Sequence, residues 1–263
     1  MTTSPNFVTI QGVVSREPMV FGDQAKRTSL TIGGIETLNG RDNIFFQEVR
    51  AGGDEGKFAA MITPGTPVVA TGMLRHETWE KDGEKKSITY VRAYAIRQLP
   101  NPEKYEVEQR SSAAGKPYFL LKGGYVSVAI SGNLARAELR YLPDGTAVLG
   151  GSFAAREEWI KDGATEERTN WIGFNVWGPE AEKLAEQGIG KGWSIAVIDG
   201  TIRNRSSKSA SNGKTYNNTD IEIGRGRMEF LPKRGAGSSS STLDIDALMS
   251  APPVESYEDS APF

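Results

Sequence analysis

Apolar and polar positions alternate along this chain over short runs rich in Val, Ile, Thr and aromatic residues, and the runs stop at Gly, Asp-Gly or Pro. Val8-Thr9-Ile10-Gln11 and Val128-Ala129-Ile130-Ser131 show the two-residue period of a half-buried strand. The pattern predicts strands near 6–15, 28–37, 44–50, 66–75 and 87–97, and a second set near 124–134, 146–157, 168–177, 193–203 and 215–230. Helical signals are few. Residues 180–186 hold good helix formers behind Pro179 and stop at Gly188 and Gly190. A weaker counterpart, 55–62, ends at Pro64. Five strands and one helix per block is the count of an OB-fold, so the pattern predicts an all-β chain of two tandem five-stranded Greek-key barrels.

The blocks also look duplicated. The run from Val8 to Arg16 parallels the run from Val128 to Arg136, and Gly72-Met73-Leu74-Arg75 parallels Gly200-Thr201-Ile202-Arg203. This divides the chain into an N-terminal OB-fold domain at 1–100, a polar, Pro- and Gly-containing linker at 101–122 and a C-terminal OB-fold domain at 123–234. Residues 235–263 open with Gly235-Ala236-Gly237 and four serines and contain Pro252-Pro253, the composition of a disordered tail.

Composition narrows the chemistry. Cysteine is absent and His76 is the only histidine, so disulfides, thiolate catalysis and Cys- or multi-His metal sites are excluded. No cofactor or metal is expected. His76 sits in a charged hairpin without a Ser-Asp constellation and reads as a surface residue. In Glu157-Glu158 and Glu166-Glu167 the two carboxylates of each pair face opposite ways on a strand, which argues against a shared active site. The chain reads as a binder, not an enzyme. No apolar run is long enough to span a membrane, and the first residues lack a signal-peptide pattern, so a cytoplasmic location is expected. Net charge is −2, but the tail carries five acidic groups and no Lys or Arg. The remaining 31 basic groups face 28 acidic ones (33 less those 5), a mildly basic body beside an acidic tail.

The second block holds Trp159, Trp171, Trp177 and Trp193. Trp159 adjoins Arg156 and the Asp162-Gly163 turn, where a ring can serve as a stacking platform for an unpaired base or as a half-buried hairpin residue. Trp171 and Trp177 are six apart and share a face, with Phe174 on the other; one of these faces must be core. Trp193 opens an apolar run and reads as packed. Between Asp199 and Asp220 the chain has no acidic residue but has Arg203, Arg205, Lys208, Lys214 and Tyr216, a basic, aromatic-edged hairpin suited to phosphates and bases. Its counterpart, 75–86, holds Arg75, Trp79, Lys85 and Lys86 among acidic residues.

These features resemble the bacterial single-stranded DNA-binding protein family. The resemblance rests on Gly132-Asn133-Leu134-Ala135-Arg136 with Arg140-Tyr141-Leu142-Pro143-Asp144-Gly145, on Trp159, Thr169-Asn170-Trp171 and Trp177-Gly178, and on Gly200-Thr201-Ile202-Arg203. It covers 124–228 closely and the first block more loosely, through Gly12, Arg16-Glu17-Pro18 and the hairpin with Trp79. Aligned on Gly52, the third-strand tryptophans fall on Phe45 and Ala51, and Ser206 or Ser207 falls at the place of Trp79. Two such domains resemble the family's two-OB-fold branch, which implies a homodimer with four barrels. The resemblance implies DNA contacts at Arg16, Phe45, Arg75, Trp79, Lys85, Lys86, Arg136, Arg140, Tyr141, Arg156, Trp159, Trp171, Trp177, Arg203, Arg205, Lys208 and Tyr216. Glu258, Asp259, Pro262 and Phe263 resemble the family's acidic, Pro-Phe tip that docks replication and repair proteins. The expected function is sequence-independent binding and protection of single-stranded DNA during replication, recombination and repair, in the nucleoid-associated cytoplasm. The alternatives are an OB-fold accessory or phage-encoded relative with fewer DNA contacts, and a protein-interaction module whose aromatics are all core.

Overall fold

A strand that bends into a small barrel needs its inward side chains at one parity and glycine where it crosses a neighbour closely. The computed structural model, which describes residues 4–22, 27–38, 40–81, 83–208 and 215–232, meets both conditions twice. In the first barrel β1 (Asn6–Val14), β3 (Arg27–Leu38), β4 (Arg41–Gly52), β5 (Pro67–Lys81) and β6 (Glu84–Gln98) close in the order β1-β3-β4-β6-β5 and back to β1. In the second, β9 (Tyr125–Tyr141), β10 (Ala147–Lys161), β11 (Ala164–Trp177), β12 (Ser194–Lys208) and β13 (Thr215–Leu231) close as β9-β10-β11-β13-β12 and back to β9. Both are OB-folds. The β4–β6 and β11–β13 closures are parallel and the other barrel pairings antiparallel.

The repeated glycines mark tight crossings. A side chain at Gly12 would sit 2.6 Å from Ile32 Cγ2 and 2.8 Å from the Gly33 carbonyl, and one at Gly132 would collide with the Ala154 carbonyl. Val8, Ile10, Leu30, Ile32, Val49 and Leu74 fill the first barrel, and Val128, Ile130, Leu149, Phe153, Phe174 and Ile221 the second, within one continuous apolar cluster. A helix follows the third strand in each case. Helix α1 (Gly53–Ala60) buries Gly56 and Ala59, and α2 (Pro179–Glu186) buries Ala181 and Leu184.

Two features join the barrels. β1 and β9 pair antiparallel from Asn6↔Ile130 to Gln11↔Tyr125, so the first strands cover each other's edges. The segment expected as a linker carries a hairpin, β7 (Val107–Ser111) and β8 (Pro117–Lys122), preceded by a 3-10 turn at Pro102–Lys104. β8 adds to β3 in parallel through Gly34↔Leu121, and Leu120 and Leu121 are fully buried, worth about 1.5–3 kcal/mol each. A short strand, β2 (Met19–Phe21), pairs with β3 and was likewise not expected. Residues 1–232 form one compact unit, and the segment 233–263 lies outside the described residues.

Candidate nucleic-acid interface

Strand β11 settles which of its faces is core. Ile172, Phe174 and Val176 point into the barrel, and Trp171 and Trp177 stand 49% and 38% exposed. Each of these outward indoles offers a face on which a base can stack. The Trp177 indole N–H donates to Glu222 Oε1 at 2.9 Å, and the Arg205 guanidinium lies 5.0 Å from its ring centre, which fixes the ring's orientation. Beside Trp171, Arg136 and Arg140 project from β9 into an open groove of about 520 Å³. Among the described residues neither forms an ion pair, although Arg140 is close enough to Asp220 to favour its charged form. Burial nevertheless raises the Asp220 pKa, against the lowering by the Asn175 hydrogen bond and Arg205.

The first barrel corrects one expectation. Val14 lies opposite Ile32, and Ile32 opposite Gln47. In the second barrel Leu134 lies opposite Phe153, and Phe153 opposite Ile172. The parallel closures agree, because Val49 pairs with Val91 as Phe174 pairs with Ile221. Gln47 therefore matches Ile172, Phe46 matches Trp171 and Gly52 matches Trp177. Alignment on Gly52 had slipped the strand by one residue, which turns every side chain to the other face. Phe45, expected as a stacking platform, is a core residue 4% exposed, and its ring lies across Gly34, where any side chain would touch it at 2.5 Å. Phe46 faces outward, but Tyr118 of β8 meets it edge-on at 5.6 Å and Arg16 covers it at 5.8 Å.

Arg75 is a second correction. It is among the expected DNA contacts, yet its guanidinium makes a bidentate pair across the barrel junction with Glu157, Nε to Oε2 at 3.2 Å and Nη2 to Oε1 at 2.5 Å. The two side chains are only 13% and 8% exposed. Burial opposes the Arg75 charge, but the Glu157 hydrogen bonds and charge outweigh it and raise its pKa. Next to it the His76 backbone N–H donates to Asn170 Oδ1 at 3.1 Å, and its Nδ1 lies 2.9 Å from Thr89 Oγ1. Burial lowers the His76 pKa, which keeps the ring neutral near pH 7. The junction has a rough two-fold mate. There Thr201 Oγ1 donates to Glu36, the register equivalent of Glu157, at 3.3 Å, and Asn204 Nδ2 donates to the Phe46 carbonyl at 2.8 Å.

The other expected contacts divide into four groups. Trp79 is 44% exposed at the β5–β6 hairpin, opposite Lys86, and Tyr141 is exposed at the end of β9. Trp159 is half-buried with Arg168 5.9 Å from its ring centre, and Arg156 pairs with Glu158 and Glu167. Arg203 and Arg205 both lean on Glu222, so a phosphate would compete with that carboxylate. The side chains of Lys85, Lys208 and Tyr216, and the residues Glu258, Asp259, Pro262 and Phe263, lie outside the described residues. The sequence missed Phe46, Arg168 and the placement of His76. The barrel register locates Phe46, but no local signal locates the other two.

Two OB-folds in one chain, one presenting a tryptophan- and arginine-lined face, define a tandem OB-fold protein of the kind that binds extended polymers. The family described as the single-strand binding protein family matches residues 126–231. A single-stranded DNA-binding protein of Thermus aquaticus is 32% identical over 223 residues, which cover 82% of this chain and 81% of the relative. One from Deinococcus radiodurans is 28% identical over 253 residues, covering 92% and 80%. The crystal structure of the wild-type Thermus aquaticus protein superposes with a TM-score of 0.63 at 24% identity, over 91% of this chain and 98% of that one, and shares the fold. The chain belongs to the single-strand binding protein family.

Proposed function

We propose that this protein binds and protects single-stranded DNA, largely without sequence preference, during replication, recombination and repair. The observation that carries the reading is the outer face of β11, where Trp171 is open to solvent with Arg136 and Arg140 beside it and Trp177 is partly exposed next to Arg205. Bases of any identity stack on indoles, and phosphates of any sequence attract guanidinium groups, so such a face binds without reading sequence. The role is binding, not catalysis. The names of the Thermus and Deinococcus relatives support the same ligand. A homodimer with four barrels, and capture of replication and repair proteins by the tip at Glu258, Asp259, Pro262 and Phe263, complete the reading. The acidic composition of 235–263 and the Pro262-Phe263 pair support the tip. The test is a tryptophan-fluorescence titration with poly(dT) at several salt concentrations. Quenching with an affinity that falls as salt rises is expected. A titration with neither overturns the reading in favour of a protein-interaction module. The accessory-protein reading draws on one observation, the cover that Tyr118 and Arg16 place over Phe46.

A further inference from the structure

We propose that the second barrel carries a base-reading slot between Trp171 and Trp177, in which Arg140, Asn175 and Asp220 take the hydrogen-bonding edge of one guanine of the bound strand. The proposal rests on the single-strand-binding reading above and adds to it a base preference at one nucleotide.

The outer face of β11 reads Trp171, Gly173, Asn175, Trp177. At about 3.3 Å per residue the two indoles stand about 20 Å apart along the strand. The floor between them is glycine. Gly150 of β10 lies opposite Asn175, and Asp220 of β13 lies opposite Gly173. A side chain at Gly173 would collide with Asp220 Oδ1, and one at Gly150 would come within 2.9 Å of Asn175 Oδ1 and 3.9 Å of an Arg140 Nη2. The three polar groups therefore lie low over two bare stretches of backbone, and all of them line the open groove beside Trp171. The same place in the first barrel is filled. By register, Glu48 stands where Gly173 does and Arg50 where Asn175 does. There Arg50 pairs with Glu48 at 2.7 Å and covers the Tyr90 ring at 4.2 Å. Of the two barrels only the second leaves the slot open, which limits the preference to one place on the strand.

The order of the groups decides which base fits. Arg140 and Asn175 Oδ1 meet over Gly150, and on the other side the Asn175 amide donates to Asp220. Read across the slot, the sequence is a donor, an acceptor and a second acceptor. Arg140 has five N–H donors and no ion pair among the described residues, so it can serve a base carbonyl and still face a phosphate. Asn175 is 4% exposed, and among the described residues nothing donates to its Oδ1. Asp220 turns Oδ2 to Arg205 at 3.7 Å and leaves Oδ1 over Gly173. Guanine presents the complement, a carbonyl O6 beside two neighbouring donors, N1–H and the 2-amino group. Thymine alternates acceptor and donor, cytosine has two neighbouring acceptors, and adenine has one donor and one acceptor. Unpaired strands expose these edges, so a protein can read them. Glu138 and Asp220 also line the groove, and their charge disfavours a phosphate at the floor while it suits N–H donors.

The test is a titration of the full chain with oligo(dT) strands that carry a single dG, moved one position at a time, with dA and deoxyinosine at the same positions as controls. Inosine keeps the O6 and N1–H of guanine and lacks the 2-amino group. At one position dG is expected to bind about fivefold or more tighter than dT, the lower end for one well-made pair of hydrogen bonds to a base edge. There dA should bind like dT, and inosine should fall between dT and dG because it cannot reach Asp220. Asp220→Asn, which turns an acceptor into a donor, should bring the dG to dT ratio back to about one, whatever it does to the affinity for oligo(dT) itself. The inosine comparison uses the parent protein and decides the matter even if that variant does not fold. No preference at any position, a gain that dA or inosine shares in full, or a dG preference that survives in folded Asp220→Asn would overturn the proposal. A shared gain would mean that purines merely stack better on the indoles. A parent protein that binds none of the strands would instead overturn the single-strand-binding reading, and the slot with it.

Discussion

The two barrels close through the same strand order and bury the same parity of each strand, yet they spend their outer faces differently. In the second barrel the outer face of β11 is left open, with Trp171 standing free. In the first barrel the register-equivalent Phe46 lies beneath Tyr118 and Arg16, and its carbonyl accepts from Asn204 of the second barrel. The inward residues fix the architecture, because a barrel this small tolerates few packings of Phe174 or Val49. The outward residues are not so constrained. One copy has turned its face into a seat for a hairpin, and the other leaves it open.

The largest effects should come from the half of this comparison that is alike. Phe45 and Phe174 are both core residues, 4% and 1% exposed. Replacing either by Ala should cost about 3–5 kcal/mol in urea unfolding. A Phe45→Ala protein of parental stability that lost affinity for single-stranded DNA would restore Phe45 as a platform and break the register assignment. Next in size is the junction. Arg75→Ala leaves Glu157 buried without its main partner and should cost about 3 kcal/mol. Arg203→Ala, at the equivalent place but 3.6 Å from the nearest Glu222 oxygen, should cost about 1 kcal/mol. Equal losses would show that a pair inside one barrel holds as much as the pair across the junction.

The open and covered platforms differ in what they give a ligand. Trp171→Ala should weaken oligo(dT) binding by about 1–3 kcal/mol. Phe46→Ala should weaken it by less than about 0.5 kcal/mol, since its ring already serves Tyr118. A larger loss at Phe46 than at Trp171 would mean that the hairpin lifts away when DNA binds. The charges divide along similar lines. Replacing Arg136 and Arg140 together should lower the slope of log K against log salt by about 1.4, near 0.7 for each lost phosphate contact. Replacing Arg203 and Arg205 should lower it less, because Glu222 already neutralises part of their charge.

Much of this was legible in the sequence because short-range rules produce it. Alternation set the ten barrel strands, and Gly12, Gly72, Gly132 and Gly200 marked the crossings and the duplication. The helices announced themselves through Pro179 and the glycines behind them. The β7–β8 hairpin was not legible, because only Phe119-Leu120-Leu121 breaks its polarity and its partner, β3, lies far away in sequence. The placement of a platform at Phe45 failed for a different reason. Gly52 and Gly178 look equivalent but end their strands one residue apart in register, and parity forgives no such slip. The Arg75–Glu157 pair spans 82 residues and leaves no local trace. His76 read as a surface hairpin residue because nothing in the hairpin says that Asn170 of the other barrel binds its backbone.

A single imidazole makes the smallest prediction a clean one. His76 is the only histidine, so any stability change with the signature of an imidazole near pH 6 belongs to it. Burial lowers its pKa in the folded protein below the ordinary 6.5. The unfolded chain therefore binds the proton first as pH falls, and protonation favours unfolding. The His76 contribution is fully present above pH 6.5 and is lost progressively as the pH drops through the folded value. A single proton limits the slope to about 1.4 kcal/mol per pH unit, and partial exposure keeps the effect below that limit. Asp220 acts with the opposite sign. Its pKa is raised by burial, so its effect on stability is most favourable below about pH 3.8 and declines as pH rises through the folded value, outside the histidine window unless the shift is large. Urea unfolding of the parent and of His76→Gln between pH 5 and 7.5 separates the two. The parent should lose stability towards pH 5 faster than the variant, and the difference should vanish above pH 7. Parallel curves would mean that the imidazole gains its proton equally in both states.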